Sequence, residues 1–256
     1  MRSITFKNLF AAIFITAVCF MAINAEAIVK AKPKILVFSK TKGFHHSSIA
    51  VGNTAIIKLG AENNFDVDTT TDASKFTIDN LKQYAAIVFL STTGLSTQLF
   101  TEDEKSALMK YIQAGGGYMG IHAATDCCYD WQWYGSLSGA YFKGHPSQQM
   151  ATIKVVDDST IATSFLPKEW NRKDEWYSFK GMATDLHVIL KIDEDSYDPT
   201  TQLRMGDHPM AWYHSYDGGR AFYTELGHTD ESYADPLYLK HILGGIQYAM
   251  GKKISK

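Results

Sequence analysis

Short apolar segments alternate with helical segments through the first half of this chain, and this alternation constrains its fold more than any other feature. Lys34–Lys40 and Ala85–Leu90 are apolar along most of their length, as is typical of strands buried on both faces of a parallel sheet. Phe65–Thr70 and Tyr118–Ile121 complete a set of four predicted strands. Short connections between strands and helices predict βαβ units, with helices on both faces of the sheet.

The segments between these strands carry helix start signals. Thr101 and Glu104 form a T-x-x-E capping box, in which each side chain bonds the backbone N–H of the other residue. The three predicted helices run from Ser47 or Ser48 to about Asn63, from Ile78 to Tyr84, and from Thr101 to Ala114.

The second half of the chain has a different pattern, and all five tryptophans lie between residues 131 and 212. Its turn and helix signals predict an antiparallel hairpin and a last helix. The predicted elements are strands at Met150–Val156 and His187–Ile192, a hairpin of Ala211–Tyr216 and Arg220–Glu225 around Asp217-Gly218-Gly219, and a helix from Asp235-Pro236 to about Gly251. We therefore predict one α/β domain in which a mixed-sheet extension follows the parallel part.

The first 27 residues have the pattern of a secretory signal peptide. Arg2 and Lys7 precede the apolar Leu9–Ile23, and Ala25-Glu26-Ala27 resembles a cleavage site. We expect the mature domain to comprise residues 28–256 and to be exported to a periplasm or to the medium. No other apolar run is long enough to span a bilayer, so no stable membrane anchor is expected.

Charge and cysteine content exclude several functions. The chain has 25 basic and 27 acidic residues, a formal net charge of −2 and no basic block, so no nucleic-acid partner is expected. Cys19 follows Val18, where a lipoprotein signal would have a small residue, and we favour soluble export over a lipid anchor. Cys127 and Cys128 form either a strained vicinal disulfide or two buried thiols, and they lack the C-x-x-C spacing of a structural zinc site.

His122 lies where α/β enzymes often present their nucleophile, at a sharp turn after a buried strand. Glycines precede this strand, and Ala123 and Ala124 follow the histidine, so the backbone can turn tightly. The carboxyl ends of parallel strands line the ligand crevice, where a histidine can transfer protons or bind a metal near neutral pH. The alternative is a structural histidine that caps the turn.

Further polar groups lie at predicted strand ends or in loops. His45 and His46 follow the first strand as His122 follows the fourth, so these three side chains are expected to converge in one pocket. His145 and His208 each precede a proline, which keeps them out of helices. The other polar candidates are Asp126, Glu175, Asp207, Glu225 and His228.

Two chemistries suit these residues. One is general acid–base catalysis, such as removal of a proton next to a sugar carbonyl, with His122 as the principal residue and Asp126 orienting its ring. The other is a histidine and carboxylate metal centre with an open position, which ranks second because no spacing matches a metal motif such as H-E-x-x-H. The predicted catalytic set is His45, His46, His122, Asp126 and Glu175.

Aromatic side chains beside these loops suit the C–H faces of sugars, although tryptophans more often pack in a core. Substrate contact is predicted for Trp176 and, less strongly, for Trp131. The predicted substrate-binding set is Phe44, Tyr129, Trp131, His145, Trp176, Asp207, His208, Glu225 and His228. The aromatic-rich half also suits an interface in a homo-oligomer, and the sequence does not separate the two uses.

Five ordered motifs resemble the ThuA-like (trehalose utilisation) family, over about Lys34 to Met250. They are Gly43-Phe44-His45-His46, Gly116–Asp126, Gly139–Pro146, Asp174–Tyr177 and Gly219–His228. The resemblance implies a flavodoxin-like, class I glutamine amidotransferase-like three-layer fold with a mainly parallel central sheet. It also implies a role in sugar catabolism, often beside dehydrogenases that produce 3-keto sugars. Amidotransferase relatives carry a cysteine where this chain has His122, so no glutaminase activity is expected.

We therefore expect an exported enzyme of sugar catabolism that acts on disaccharides or 3-keto-glycosides, as an isomerase, lyase or hydrolase, by histidine acid–base chemistry. The alternatives are a non-catalytic carbohydrate-binding protein of the same fold and a metal-dependent hydrolase. The expected partner is a small-molecule carbohydrate. The sequence leaves the cofactor open, a divalent metal included.

Overall fold

A nine-stranded sheet runs through the computed structural model, which describes residues 31–255. The predicted signal peptide therefore lies outside the described residues. The strands are β1 (Lys34–Phe38), β2 (Asp66–Thr70), β3 (Ala86–Leu90), β4 (Gly117–Ile121), β5 (Tyr141–Gly144), β6 (Gln149–Val155), β7 (Glu169–Asp174), β8 (Ser178–Lys180), β9 (His187–Ile192), β10 (Pro209–Tyr216) and β11 (Gly219–Thr224). The helices are α1 (Ser48–Glu62), α2 (Ile78–Leu81), α3 (Ser96–Leu99), α4 (Glu102–Gln113), α5 (Gln132–Ser138) and α6 (Pro236–Ala249).

The strand order confirms the predicted α/β class. The large sheet runs β2-β1-β3-β4-β11-β10-β9-β6-β7, and β5 pairs with β8 in a separate two-stranded sheet. The first five strands of the large sheet are mutually parallel, and the predicted hairpin of β10 and β11 joins them through parallel pairing of β11 with β4. The antiparallel part extends beyond that hairpin through β9, β6 and β7.

Helices cover both faces of the sheet because the central strands are apolar on both faces. Along β1, Ile35 and Val37 pack in one core with α1 and α6, whereas Leu36 and Phe38 pack in a second core with α2 and α4. Each side chain of this size contributes about 1.5–3 kcal/mol when it is fully buried. These two cores make the three-layer arrangement stable.

Local signals position most helices as the sequence predicts. The Thr101 side chain accepts from the backbone N–H of Glu104 at 3.3 Å, and the Glu104 carboxylate accepts from the Thr101 N–H at 2.7 Å. Asp235 caps α6. Gly117 opens β4 where a Cβ atom would lie 1.8 Å from the Ala249 carbonyl oxygen, so α6 packs directly on this strand. None of the helices in residues 31–255 is both long and apolar enough to cross a membrane.

The antiparallel half of the sheet bends strongly. Four strand spacings of about 4.8 Å would place β7 roughly 19 Å from β11 in a flat sheet. Asp174, at the end of β7, nevertheless accepts a hydrogen bond from the backbone N–H of His228, just beyond β11, at 3.1 Å. The bend therefore brings the residues that follow β7 to the carboxyl ends of the parallel strands.

Candidate functional site

A pocket of about 220 Å³ lies at the carboxyl ends of the parallel strands, the edge where ligands bind in open α/β sheets. Two other hollows, of about 360 Å³ each, do not bring histidines together. The pocket is lined by Phe44, His46, Asp126, Phe142, His145, Glu175, Tyr177 and His228. Six of these eight residues are among the candidates identified from the sequence.

His122 occupies the predicted sharp turn. It is the first residue of a short 3-10 turn after β4, and its φ of 49° lies in the left-handed region that non-glycine residues seldom adopt. The Tyr223 hydroxyl donates to the His122 carbonyl at 2.7 Å and holds the turn. The His122 ring is fully buried in contact with His228, and it does not line the pocket itself.

Glu225 orients the His122 ring, which corrects the role expected for Asp126. The Nδ1–H of His122 donates to the Glu225 backbone carbonyl at 2.8 Å, which leaves Nε2 facing His228 Nδ1 at 3.0 Å. Asp126 instead accepts a hydrogen bond from the Tyr129 hydroxyl at 2.6 Å. Tyr129 therefore acts through Asp126, whose carboxylate lines the pocket.

Three side chains meet at the base of the pocket. His228 Nδ1 lies 3.0 Å from His122 Nε2 and 3.1 Å from Glu175 Oε2. The distance between His122 Nε2 and Glu175 Oε2 is 3.6 Å. The ring of His46 stands edge-on to the other two imidazoles, with centroids 4.9 Å and 5.1 Å away. One nitrogen or oxygen atom from each of these four residues lies within 4.8 Å of the other three.

The environment shifts the pKa values of this cluster in opposite directions. Burial, helped by the neighbouring His122, lowers the pKa of His46 to about 3. For Glu175, burial by itself raises the pKa, but the neighbouring His122 and His228 imidazoles outweigh it and leave the pKa well below its usual range. For His228, burial lowers the pKa, but the hydrogen bond and charge of Glu175 outweigh burial and raise the pKa above its usual value. The site thus favours a carboxylate beside imidazoles.

Glu225 itself is a buried acid. Burial, with the nearby charge of Asp174, raises the pKa of its carboxyl well above the usual value. Its Oε1 accepts from the backbone N–H of Tyr177 at 3.1 Å. Glu225 was expected to contact substrate, but it lies behind the pocket and holds Tyr177 and His122 in place.

Asp174 is a buried anchor that the sequence did not reveal. Its Oδ1 accepts from the backbone N–H groups of Glu175 and His228, both at 3.1 Å. Its Oδ2 accepts from the Gly227 N–H at 3.1 Å and from the Ser232 hydroxyl and Arg172 Nη2, both at 3.0 Å. One carboxylate therefore fixes two loops that carry residues of the cluster.

His208 has a supporting position instead of the predicted contact with substrate. It is buried, with Nδ1 2.8 Å from Glu194 Oε1 and Nε2 2.7 Å from the Tyr177 carbonyl. The ring of Tyr177 lies 4.4 Å from the His122 ring and 4.2 Å from the ring of Phe142. Together Tyr177 and Phe142 form an aromatic wall. Both lie within the sequence motifs, but the sequence favoured Trp176 over its neighbour Tyr177 for contact with the sugar.

Other predicted contacts lie away from the pocket. Trp176 is buried in the core and Trp131 stacks on a neighbouring tryptophan, because aromatic surface is more stable when packed than when left at a loop. His45 is exposed and its ring faces a nearby threonine. Asp207 forms a surface ion pair with Lys191. Cys127 and Cys128 are buried free thiols with their sulfur atoms 3.3 Å apart.

A mainly parallel sheet covered by helices on both faces, with polar side chains at the strand carboxyl ends, is a flavodoxin-like arrangement and is consistent with the class I glutamine amidotransferase-like superfamily. The chain belongs to the ThuA (trehalose utilisation) family, whose model matches residues 34–249. The family implies a role in sugar catabolism.

Solved structures agree with this assignment. A protein described as ThuA-like from Bacteroides uniformis ATCC 8492 is 25% identical with a TM-score of 0.74, covering 88% of this chain and 94% of that one. Another, from Parabacteroides merdae ATCC 43184, is 20% identical with a TM-score of 0.73, covering 88% and 92%. A β-galactosidase from Rahnella sp. R3 shares the fold over 31% of its length and 86% of this chain, with 12% identity and a TM-score of 0.57. No curated protein matches the chain.

Proposed function

We propose that this protein is an enzyme that binds one ring of a disaccharide or 3-keto-glycoside in the pocket and moves a proton next to a sugar carbonyl. The observation that carries the proposal is the convergence of imidazoles and carboxylates on one aromatic-walled pocket. His46, His145 and His228 share it with Asp126 and Glu175. Convergent titratable groups in a pocket are a hallmark of catalytic sites.

The shape of the pocket suits a sugar ring. Its volume of about 220 Å³ is below the roughly 300–1,000 Å³ typical of drug-sized ligands, so it holds one ring and leaves the second outside. Phe142 and Tyr177 offer ring faces inside the pocket, and Phe44 stands 64% exposed at its mouth. A C–H face of the sugar can pack on these rings while its hydroxyl groups meet the histidines.

Proton removal beside a ketone needs a base at the C–H bond and a stabiliser at the carbonyl oxygen. Asp126 lines the pocket, and burial raises the pKa of its carboxyl. A raised pKa makes a carboxylate a stronger base. Isomerisation and elimination of 3-keto sugars both begin with this step, so the proposal covers a reaction class that fits sugar catabolism.

The proposal includes export of the mature domain. It is supported by the basic start, apolar run and Ala25-Glu26-Ala27 site within residues 1–27. Mass spectrometry of the protein recovered from the periplasm or medium is expected to give a chain that begins near Ile28. An uncleaved chain that stays in the cytoplasm would contradict export and leave the proposed chemistry intact.

Proton NMR in deuterated buffer tests the chemistry. The mature protein is incubated with trehalose, other glucosides and their 3-keto forms. We expect deuterium uptake or new sugar signals with at least one of them. Asp126→Asn is expected to lower the rate by about 10²-fold or more, the usual contribution of a general base. Asp207→Asn, a surface change, is the matched control and is expected to keep the wild-type rate.

The same sugars separate an enzyme from a binding protein. Saturable binding with no deuterium uptake and no product would replace the proposal by a non-catalytic carbohydrate-binding role. If none of these sugars binds or reacts, the substrate lies outside this class.

A further inference from the structure

We propose that His122, Glu175 and His228 bind one divalent transition-metal ion at the base of the pocket, with His46 as the fourth ligand. These residues lie in the segments that follow β4, β7, β11 and β1, respectively. Only the role of the ion towards a sugar rests on the proposed function. Metal binding itself is a property of these four side chains.

The interatomic distances carry the inference. Metal–nitrogen and metal–oxygen bonds of about 2.0–2.2 Å in a tetrahedral site place neighbouring ligand atoms roughly 3.3–3.6 Å apart. The atoms His122 Nε2, His228 Nδ1 and Glu175 Oε2 are separated by 3.0, 3.1 and 3.6 Å. These distances lie within a few tenths of an ångström of the edges of one face of a coordination tetrahedron, so small shifts of the side chains would complete it.

Supporting contacts orient each of these three ligands. The Nδ1–H of His122 donates a hydrogen bond to the Glu225 backbone carbonyl at 2.8 Å, so the lone pair of Nε2 points into the cluster. Asp174 fixes the backbone of both Glu175 and His228. His145 Nδ1 lies 3.3 Å from the other Glu175 oxygen, Oε1. Metal-binding histidines and carboxylates have outer partners of this kind.

His46 provides an independent observation. Its side chain is only 2% exposed, and its Nδ1 is buried without a hydrogen-bond partner in residues 31–255. A buried polar atom without a partner costs free energy. The ring lies beside both His122 and His228, with ring centroids 4.9 Å and 5.1 Å away, so its unpartnered nitrogen can complete the cluster.

The donor set selects the class of metal. Three imidazoles and one carboxylate suit zinc, manganese, iron, cobalt or nickel, whereas calcium and magnesium prefer oxygen ligands. The pocket opens above the cluster, beside Asp126 and the aromatic wall. An ion there would take a sugar carbonyl oxygen as a fifth ligand and polarise it as a Lewis acid, which complements the base that the proposed function assigns to Asp126.

Zinc titration of the mature, metal-stripped protein tests the inference, with any purification tag removed. Calorimetry is expected to show one high-affinity zinc ion per chain. His122→Ala and His228→Ala are expected to lower the affinity by more than about 100-fold, beyond the 10–100-fold that outer partners contribute. Glu175→Gln keeps the size and shape of the side chain and is expected to weaken zinc binding strongly in a protein that still folds. His187→Gln, whose ring stacks on Tyr213 away from the pocket, is the matched control.

Cobalt substitution gives a second readout. The visible spectrum of the cobalt-loaded protein is expected to show the intense bands of a four-coordinate site, and these bands should change in Glu175→Gln and His46→Gln. A cluster held together only by shared protons would take up no metal. Absence of stoichiometric binding, or binding that survives all the ligand variants, would overturn the inference.

The sugar assay distinguishes this inference from the proposed function. One zinc ion per chain without any sugar reaction would leave the metal site standing and remove the catalytic proposal. A protein that takes up deuterium but binds no metal stoichiometrically would remove the metal site and leave the catalytic proposal standing.

Discussion

Replacing Asp174 by asparagine tests how the site is held. The Asp174 carboxylate is fully buried and accepts five hydrogen bonds, two on Oδ1 and three on Oδ2. An amide keeps one acceptor oxygen and presents an NH₂ group in place of the other. If the oxygen keeps Glu175 and His228, then the Gly227 N–H loses its acceptor and Arg172 loses its closest carboxylate. Arg172 then keeps only the Ser232 hydroxyl at 2.6 Å and the more distant Asp235 carboxylate at 3.6 Å.

The size of the effect follows from those two contacts. A hydrogen bond to a charged group contributes about 1.5–3 kcal/mol, and removal of one partner of a buried ion pair costs about 3–5 kcal/mol. Arg172 is only 8% exposed, and its guanidinium is packed against the rings of Trp170 and Tyr238. It therefore cannot turn to solvent. We expect the free energy of unfolding to fall by about 3–5 kcal/mol, which lowers Tm by roughly 10 °C in a domain of this size.

Urea and thermal unfolding measure this loss. Asp195→Asn is the control, because that side chain is 91% exposed and surface changes usually stay within about 0.5 kcal/mol. Combining Asp174→Asn with Arg172→Met should cost less than the sum of the two single changes, since the arginine is no longer left without its partner. A loss below about 1 kcal/mol, or strict additivity, would refute the anchoring role of Asp174.

Three further predictions follow from the burial or exposure of single side chains. Burial lowers the pKa of His241 to about 4, whereas the pKa in the unfolded chain is about 6.5. Between these two pH values only the unfolded chain binds the proton, so the free energy of unfolding falls by roughly 3 kcal/mol as the pH drops from about 6.5 to about 4. His241→Gln should flatten that part of the curve of unfolding free energy against pH, and an unchanged slope would contradict the prediction. Phe44→Ala should weaken sugar binding in a titration and leave Tm within about 2 °C, because the ring is mostly exposed; a large fall in Tm would show a structural role instead. Cys127 and Cys128 are buried, and burial raises the pKa of the Cys128 thiol, so thiol reagents should label them in urea and only slowly in the folded protein; fast labelling of both in native buffer would disprove this.

The parallel half of the fold could be predicted because its signals are local. The apolar strand at Ile35–Phe38 and the capping box of Thr101 and Glu104 each need only a few neighbouring residues to be recognised. β7 could not be predicted in this way. Its inward-facing positions are Trp170, Arg172 and Asp174, so two of the three carry charges that are stable inside only as a pair.

Part of the candidate site could also be predicted. His46 and His122 were identified from the rule that parallel strands end at one edge of a sheet. The contact of Glu175 with His228 depends on the bend of the antiparallel strands, which strand order and sequence pattern do not specify. Trp176 shows the opposite case, since its place in the motif favoured a ligand contact and the core buried it.

The position of β11 has a consequence for how the chain is made. It is the fifth of nine strands in the sheet but the last in the sequence. While the ribosome is still synthesising the preceding residues, β4 is an open edge whose partner does not yet exist, and such edges promote aggregation. Neither the sheet nor the histidine cluster can be completed before His228 emerges. A nascent or truncated chain that lacks this last part would therefore need a chaperone more than the finished protein does.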